Sequence, residues 1–475
     1  MSEQIKKYSY YFLIIAIILA GFVLRLNLLL DNPSFWFDES ALGYNVLSLS
    51  FFRLFGILHL QQVAPPLFLA AAKIFVNTFG SGDLILRLFP FVVGNLSIIL
   101  FFFILKEYFK NKPTIISGLL LFCFNIQLLK YSAEFKPYIV EMFSTCLILY
   151  IFKRINFEQT YKKLFAIGCA LAVLPWFSFV SAVLIAIAYL ITFSKKNLKK
   201  WFIAFLPFFV SEIFILIYYL KIKFFYSEFM SDFFVNDFFT LKELPIQLTI
   251  GFSYLFSINH AFIPLLIFLC GIICCFVDKK QLFLRNFSLF SFITFISLSF
   301  LKIYPFYDRF IIFLLPVILM MNLIIIEKCC TMKNIFVKFL VTIYVLFMFF
   351  PTFIYMQKIN NENFTKRSCA RELTQDMASK IKQDDIIIVD TLSTPDFLYY
   401  GRYYNFRNEV FMNIKEKNGI ILYKMNRNEE LPLNKGAFYW LYSPWSSRTY
   451  DYVKYDYQKN CKYGGKILYI NGGKQ

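Results

Sequence analysis

Two carboxylates stand side by side in Phe35-Trp36-Phe37-Asp38-Glu39-Ser40, directly behind a run of aromatic residues. Neighbours on a helix point about 100° apart, so Asp38 and Glu39 do not easily share one task. One can deprotonate an acceptor hydroxyl while the other orients a sugar, a cation or the surrounding chain. A solvated acidic stretch beside interfacial aromatics explains the same residues without chemistry. A divalent cation at Asp38 and Glu39 is compatible with the pair, but nothing demands one, and no other metal site or cofactor is predicted.

A second cluster is Tyr131-Ser132-Ala133-Glu134-Phe135-Lys136-Pro137-Tyr138, short enough to hold Glu134 and Lys136 close to two helix ends. Lys130 precedes it, and Glu141 falls about one turn inside the next helix, where an ionisable group is costly unless it meets a polar cavity or a partner. A Glu–Lys pair that only closes the helix ends is the plainer alternative. Arg87 and Arg309, the latter after Tyr304-Pro305-Phe306-Tyr307-Asp308, each open an apolar run. The planar fork of Arg fits phosphate oxygens bidentately, which makes a lipid phosphate a suitable ligand. Snorkelling toward headgroups accounts for both without chemistry and, taken alone, is the favoured reading. His59 and His260, the only histidines, read as structural.

The elements that must position these groups are membrane helices. The chain has 475 residues, 59% of them hydrophobic and only 17% charged, more apolar surface than a soluble core can hide. About eleven spans are expected, at 11–30, 84–105, 114–130, 138–152, 164–177, 178–193, 201–220, 260–277, 284–301, 309–326 and 335–355. The 164–193 stretch, with Pro175 near its middle, reads as two short helices or one kinked one, and only a hairpin keeps the later loops on their sides by charge. Residues 65–79, opened by Pro and closed by Gly80, read as a helix at the outer surface.

With a cytoplasmic N-terminus, the clusters Lys106/Lys110/Lys112, Lys153/Arg154/Lys162/Lys163, Lys195/Lys196/Lys199/Lys200, Lys279/Lys280/Arg285 and Lys328/Lys333 all face the cytoplasm. The opposite loops, 31–83, 131–137, 221–259 and 302–308, are mixed or acidic. All the candidate residues above then share the outer side of a cytoplasmic (inner) membrane, and they converge if the spans bundle in the ordinary way. The net charge of +19 is therefore orienting charge beside membrane lipids, and nucleic acid is not an expected partner. Lys6 and Lys7 precede a span too long for a signal peptide, with no small-residue cleavage site after it, so it reads as an uncleaved helix.

Beyond Tyr355 the composition turns polar. Strands are expected at 386–389, 420–423, 438–441 and 467–470, with helices at 366–382, 395–404 and 446–458. This makes 1–355 a membrane domain, with a first outer loop at 31–83, and 356–475 a small extracytoplasmic α/β domain without a P-loop or dinucleotide glycine pattern. Ten cysteines in a chain this long are not a disulfide framework, and six of them (Cys123, Cys146, Cys169, Cys270, Cys274 and Cys275) lie in apolar spans as small hydrophobes. Cys369 and Cys461 alone lie beyond the last span, where an oxidising compartment can join them. Aromatic-rich residues 224–244, with Glu228, Asp232 and Asp237, read either as a surface helix or as packing. Tyr399, Tyr400, Tyr403, Tyr404, Trp440 and Trp445 suit glycan stacking or core packing alike.

Several motifs carry a resemblance. Trp36-Phe37-Asp38-Glu39, Gln62-Val63-Ala64-Pro65-Pro66-Leu67-Phe68-Leu69, Phe79-Gly80-Ser81-Gly82-Asp83, Arg87-Leu88-Phe89-Pro90 and Tyr131 to Tyr138 resemble glycosyltransferase family 39, which holds protein O-mannosyltransferases and lipid A aminoarabinose transferases. Tyr307-Asp308-Arg309 leading to Leu314-Leu315-Pro316 resembles a later helix of the bacterial members. The motifs cover roughly residues 25–152, and the remainder matches by layout.

The resemblance implies a GT-C bundle with surface helices in the first outer loop, a polyprenyl-phosphate-linked sugar as donor, and a lipid, glycan or protein acceptor. Asp38 matches the essential acidic position, implying a general base in an inverting displacement, with Glu39 supporting it. Arg87 matches the family's Arg, and Lys136 stands where many relatives have Arg, which implies that both hold the donor phosphate, with Arg309 a further candidate. Glu134 is implied to orient Lys136 or bind sugar hydroxyls, and Gln62, Tyr131 and Tyr138 are the other candidate substrate contacts. Two departures matter. Ala64 stands where the mannosyltransferases have His, which weakens a mannose-specific reading, and the tail lacks the eukaryotic sugar-binding insert, which disfavours protein acceptors. The rival classes are a flippase or carrier for lipid-linked saccharides, an oligosaccharide ligase or polymerase, and a non-catalytic glycan-binding partner. A carrier calls for polar midplane residues and repeated halves, whereas this sequence concentrates its ionisable residues on one face and shows no repeat.

Overall fold

Residues 3–225, 243–258, 262–277, 281–361, 368–380, 386–390, 393–402, 415–417, 420–425, 437–442, 457–460 and 466–471 are described in a computed structural model of the chain. They form two compact units, one of residues 1–30, 63–72 and 87–360, the other of 31–62, 73–86 and 361–475. The first outer loop, expected with the membrane domain, thus groups for the most part with the tail.

The first unit is helical. Its elements include α1 (Glu3–Asp31), the start of α3 (Pro66–Phe79), α4 (Asp83–Tyr108), α5 (Lys112–Cys123), α6 (Ile126–Ser132), α7 (Tyr138–Arg154), α8 (Tyr161–Phe177), α9 (Phe179–Ile191), α10 (Leu198–Phe225), α11 (Leu244–Phe256), α12 (Phe262–Val277), α13 (Leu282–Phe300), α14 (Leu315–Thr331) and α15 (Ile335–Asn361). Among the described residues six helices are long and apolar enough to cross a membrane, seven if the bent pair Lys112–Cys123 and Ile126–Ser132 counts as one span. The difference from eleven lies in α7, α8, α9 and α12, helices of 17, 17, 13 and 16 residues, all shorter than the 19-residue α13, the shortest of the six. The 164–193 stretch divides into two helices at Ser178, with Pro175 inside the first. The span expected at 309–326 opens instead as a tight 3-10 turn over Asp308–Leu314 before α14 begins. Within 221–259, read from sequence as loop, α11 is an apolar helix.

The 51° bend between α5 and α6 aims the chain toward the 131–137 turn, and side chains answer several of the backbone groups it frees. Arg25, fully buried in α1, donates to Cys123 O and Gly21 O, both at 3.0 Å, and to Ser132 Oγ at 3.2 Å. Thr352 Oγ1 donates to Phe124 O at 2.5 Å. Asn125 Oδ1 caps Leu128 N at 3.1 Å while its Nδ2 donates to Leu255 O at 2.8 Å. Gly94 lets α4 pass close by, since a Cβ there would stand 2.3 Å from Ser132 Oγ. Arg25 is the one charged residue inside the first expected span, and that isolation was the sequence signal for it.

The second unit holds α2 (Phe37–Ser48), α16 (Ala370–Lys380), α17 (Thr394–Gly401) and a six-stranded sheet in the order β2-β3-β1-β4-β6-β5. The strands are β1 (Ile386–Asp390), β2 (Lys415–Lys417), β3 (Ile420–Met425), β4 (Ala437–Tyr442), β5 (Tyr457–Asn460) and β6 (Lys466–Asn471). Central β1 runs parallel to β3 and β4, with Ile388 opposite both Tyr423 and Trp440. The other pairings are antiparallel. The helix expected at 446–458 lies outside the described residues but for its last two, which begin β5. Residues 226–242, His260, Tyr403, Tyr404 and Trp445 also lie outside them. Cys369 is disulfide-bonded, and Cys461 lies outside the described residues.

Candidate active site

In the second unit, Trp36 is the extended residue before α2, and its carbonyl accepts from Glu39 N at 2.9 Å and Ser40 N at 3.0 Å. Asp38 and Glu39 therefore occupy the first helical turn, where unpaired backbone N–H groups favour negative charge. Adjacency separates them as expected: Asp38 is half-buried and Glu39 is 2% exposed. Gln62 follows two left-handed residues, Leu60 (φ 60°) and Gln61 (φ 53°), and its Nε2 donates to Leu60 O at 3.4 Å. Such backbone costs about 1–3 kcal/mol per residue and persists only where the surroundings impose it. Asn45 supplies part of that constraint, binding His59 N and His59 O at 2.6 and 3.0 Å, which gives His59 a structural place.

The chain entering α2 is gripped by the tail helices. Arg371 and the Tyr400 hydroxyl converge on buried Asp83, with Tyr400 OH 2.5 Å from Oδ2 and Tyr399 OH 2.9 Å from Oδ1. Asp83 carried a motif in the sequence but no assigned role, and Arg371 had no local signal. Tyr399 and Tyr400 are buried, so packing rather than glycan stacking occupies them. Asp396, on the same tail helix, is buried as well; burial pushes its carboxyl up to about 7, the charges of Glu39 and Asp83 adding and the Ser40 hydroxyl opposing.

In the first unit, the turn after α6 is tight: Lys136 N donates to Glu134 O at 2.8 Å, and both side chains are buried. Phe135 stacks on Phe68 with centroids 5.4 Å apart, so the paired-proline helix start and the 131–137 turn share one apolar seam. The rings of Tyr131 and Tyr138 meet edge-on at 5.2 Å, and Tyr138 meets Phe310 at 6.1 Å. Tyr131 OH lies 2.5 Å from Tyr254 OH. The Tyr254 hydroxyl also feels the charges of Glu134, Asp308 and Arg309, which gathers the 131–137 turn, the 3-10 turn and α11 around one polar spot. Tyr254 was missed because its helix was read as loop. Arg87 is buried in α4 at 2% exposure. Glu141 is buried with Oε2 unpartnered among the described residues, and its charge acts on Tyr304. Within this unit Glu134, Lys136, Tyr131, Tyr138 and Arg309 are thus brought together, while Asp38, Glu39 and Gln62 belong to the other. Among the described residues, no three acidic, His or Cys side chains group to hold a metal ion.

Residues 63–220 match the family model described as dolichyl-phosphate-mannose-protein mannosyltransferase. The matched stretch holds Arg87, Tyr131, Glu134, Lys136 and Tyr138 and begins beyond Asp38 and Glu39. No curated protein sequence matches the chain. Among solved structures it is similar to ArnT from Cupriavidus metallidurans in the apo state, with TM-score 0.55, 11% identity and 98% of each chain covered. It is likewise similar to ArnT from Cupriavidus metallidurans bound to undecaprenyl phosphate, with TM-score 0.56 and 11% identity over 97% of this chain and 98% of that one. At such identity the likeness shows the fold alone, and the family-39 resemblance read from the motifs agrees with the family model over residues 63–220.

Proposed function

We propose that this chain is a membrane glycosyltransferase that moves a sugar from a polyprenyl-phosphate-linked donor to a lipid or glycan acceptor at the outer face of the cytoplasmic membrane. The observation that carries the reading is the fold shared, over nearly the whole chain, with a structure bound to undecaprenyl phosphate. A lipid donor keeps its tail in the bilayer, so its enzyme needs an apolar path that ends in cations near the surface. Lys136 and Arg309, gathered at the 131–137 turn, suit that end, and Arg87 is the third candidate for the phosphate.

Asp38 is the candidate general base: half-exposed, it can reach an acceptor hydroxyl, whereas Glu39 is buried behind it and supports the turn. In-line attack by that hydroxyl displaces the carrier phosphate and inverts the anomeric carbon. Glu134, Gln62, Tyr131 and Tyr138 are the candidate sugar contacts. The Lys/Arg clusters support a cytoplasmic N-terminus and an extracytoplasmic 356–475 domain.

Mass spectrometry of lipid-linked intermediates and surface glycans, with and without the gene, tests the reading. The expected result is one saccharide component lost from the surface and its polyprenyl-linked donor accumulated on the outer leaflet. Accumulation on the inner leaflet would point to a carrier instead, and unchanged pools would end the proposal.

A further inference from the structure

Four consecutive residues leading into α2 each hold a group from the tail helices. Arg371 donates to Asn32 O at 3.1 Å and Pro33 O at 3.3 Å. Ser34 Oγ donates to Glu372 Oε2 at 2.5 Å. The Phe35 N–H donates to the Tyr400 hydroxyl at 2.6 Å, and the Phe35 ring packs 4.9 Å from that of Tyr399. Arg371 and Tyr400 are themselves locked by Asp83, so the grip is not a set of independent surface contacts. A second hold lies further along α2: a Cβ at Gly43 would stand 2.6 Å from Tyr399 Cε2, so the helix lies against that ring as closely as glycine permits. Two holds about two turns apart fix both the entry and the axis of a 12-residue helix.

From this geometry we infer that Arg371 and Tyr400 are positioning residues for the acid-bearing turn, so that the tail helices form part of the catalytic apparatus. The inference rests on the reading of Asp38 as base. Asp38 follows Phe35 by three residues, and a displacement of about 1 Å at a reacting group costs on the order of 10²-fold in rate. The Tyr400 hydroxyl is the pivotal atom because it accepts from the α2 entry and donates to Asp83 at once. Removing it frees a fully buried N–H at Phe35 while leaving the ring in place.

The test compares wild type, Asp38→Asn, Tyr400→Phe and Arg371→Lys in detergent or nanodiscs, with the polyprenyl-phosphate sugar identified by the glycan analysis as donor. Tyr400→Phe should lower kcat about 10- to 100-fold with the donor KM within threefold of wild type. Arg371→Lys, which keeps the charge on Asp83 but loses the fork, should fall between. A wild-type kcat in Tyr400→Phe, while Asp38→Asn is inactive, overturns the positioning role and leaves the transferase reading intact. A fully active Asp38→Asn overturns the base assignment and the inference with it. Should Tyr400→Phe fail to accumulate, Ser34→Ala carries the test at the same turn; there a kcat loss of several-fold supports the role and an unchanged kcat refutes it.

Discussion

Asp38→Asn is the sharpest perturbation available, because it keeps the side chain's shape and removes only its ability to take a proton. Loss of a general base costs about 10²- to 10⁴-fold in rate, or about 3–5 kcal/mol at 1.36 kcal/mol per tenfold. The structural cost is smaller. Asp38 is half-buried in the first turn of α2, where a carboxylate contributes about 0.3–1 kcal/mol through the helix N-terminus. The variant should therefore insert and fold as wild type while transferring little or no sugar. Glu39→Gln is the internal comparison: at 2% exposure its loss should appear chiefly as lower stability. Membranes from a strain lacking the gene, complemented with each variant, would be assayed for product by mass spectrometry, with protein level and thermal unfolding measured in parallel. Asp38→Asn retaining a third or more of wild-type activity would refute the reasoning. So would Glu39→Gln proving the inactive yet stable variant, since the base would then be Glu39.

The cation roles predict that Arg87→Ala and Lys136→Ala raise the donor KM about 10- to 100-fold, the worth of one charge-assisted hydrogen bond, with the acceptor KM little changed; equal losses toward both substrates would contradict them. Asp396 predicts a pH slope in stability. Its folded value of about 7 lies above the ordinary 3.8, so the stability it supports is full below about pH 4 and lost as pH rises toward 7, on the order of 4 kcal/mol at most. Asp396→Asn should flatten that slope in thermal unfolding between pH 4 and 8; an unchanged slope argues against a buried titrating carboxyl. The Cys369 disulfide predicts a gel-mobility shift on reduction, whereas unchanged mobility, with Cys369 and Cys461 both labelled in the native protein, would exclude a bond between them.

The amino-acid sequence by itself determined where most of the long apolar helices form, because a run of apolar residues in a bilayer must close its backbone hydrogen bonds within itself. It also placed Asp38 and Glu39 in different surroundings, since successive residues on a helix diverge whatever the fold. The 131–137 turn was legible for the same local reason: too few residues separate Lys130 from Tyr138 for Glu134 and Lys136 to stray from the helix ends.

What only the tertiary structure decided is long-range. Nothing near Phe124 tells that Arg25 and Thr352 will satisfy a broken helix there. Nothing near Asp83 tells that its partners lie 288 to 317 residues away. Tyr254 entered the polar cluster through a helix that its flanking sequence disguised as loop. Periodicity and charge counting read the environment of each residue along its own element. A buried donor finds its acceptor across elements, and that pairing is set only when the chain has packed.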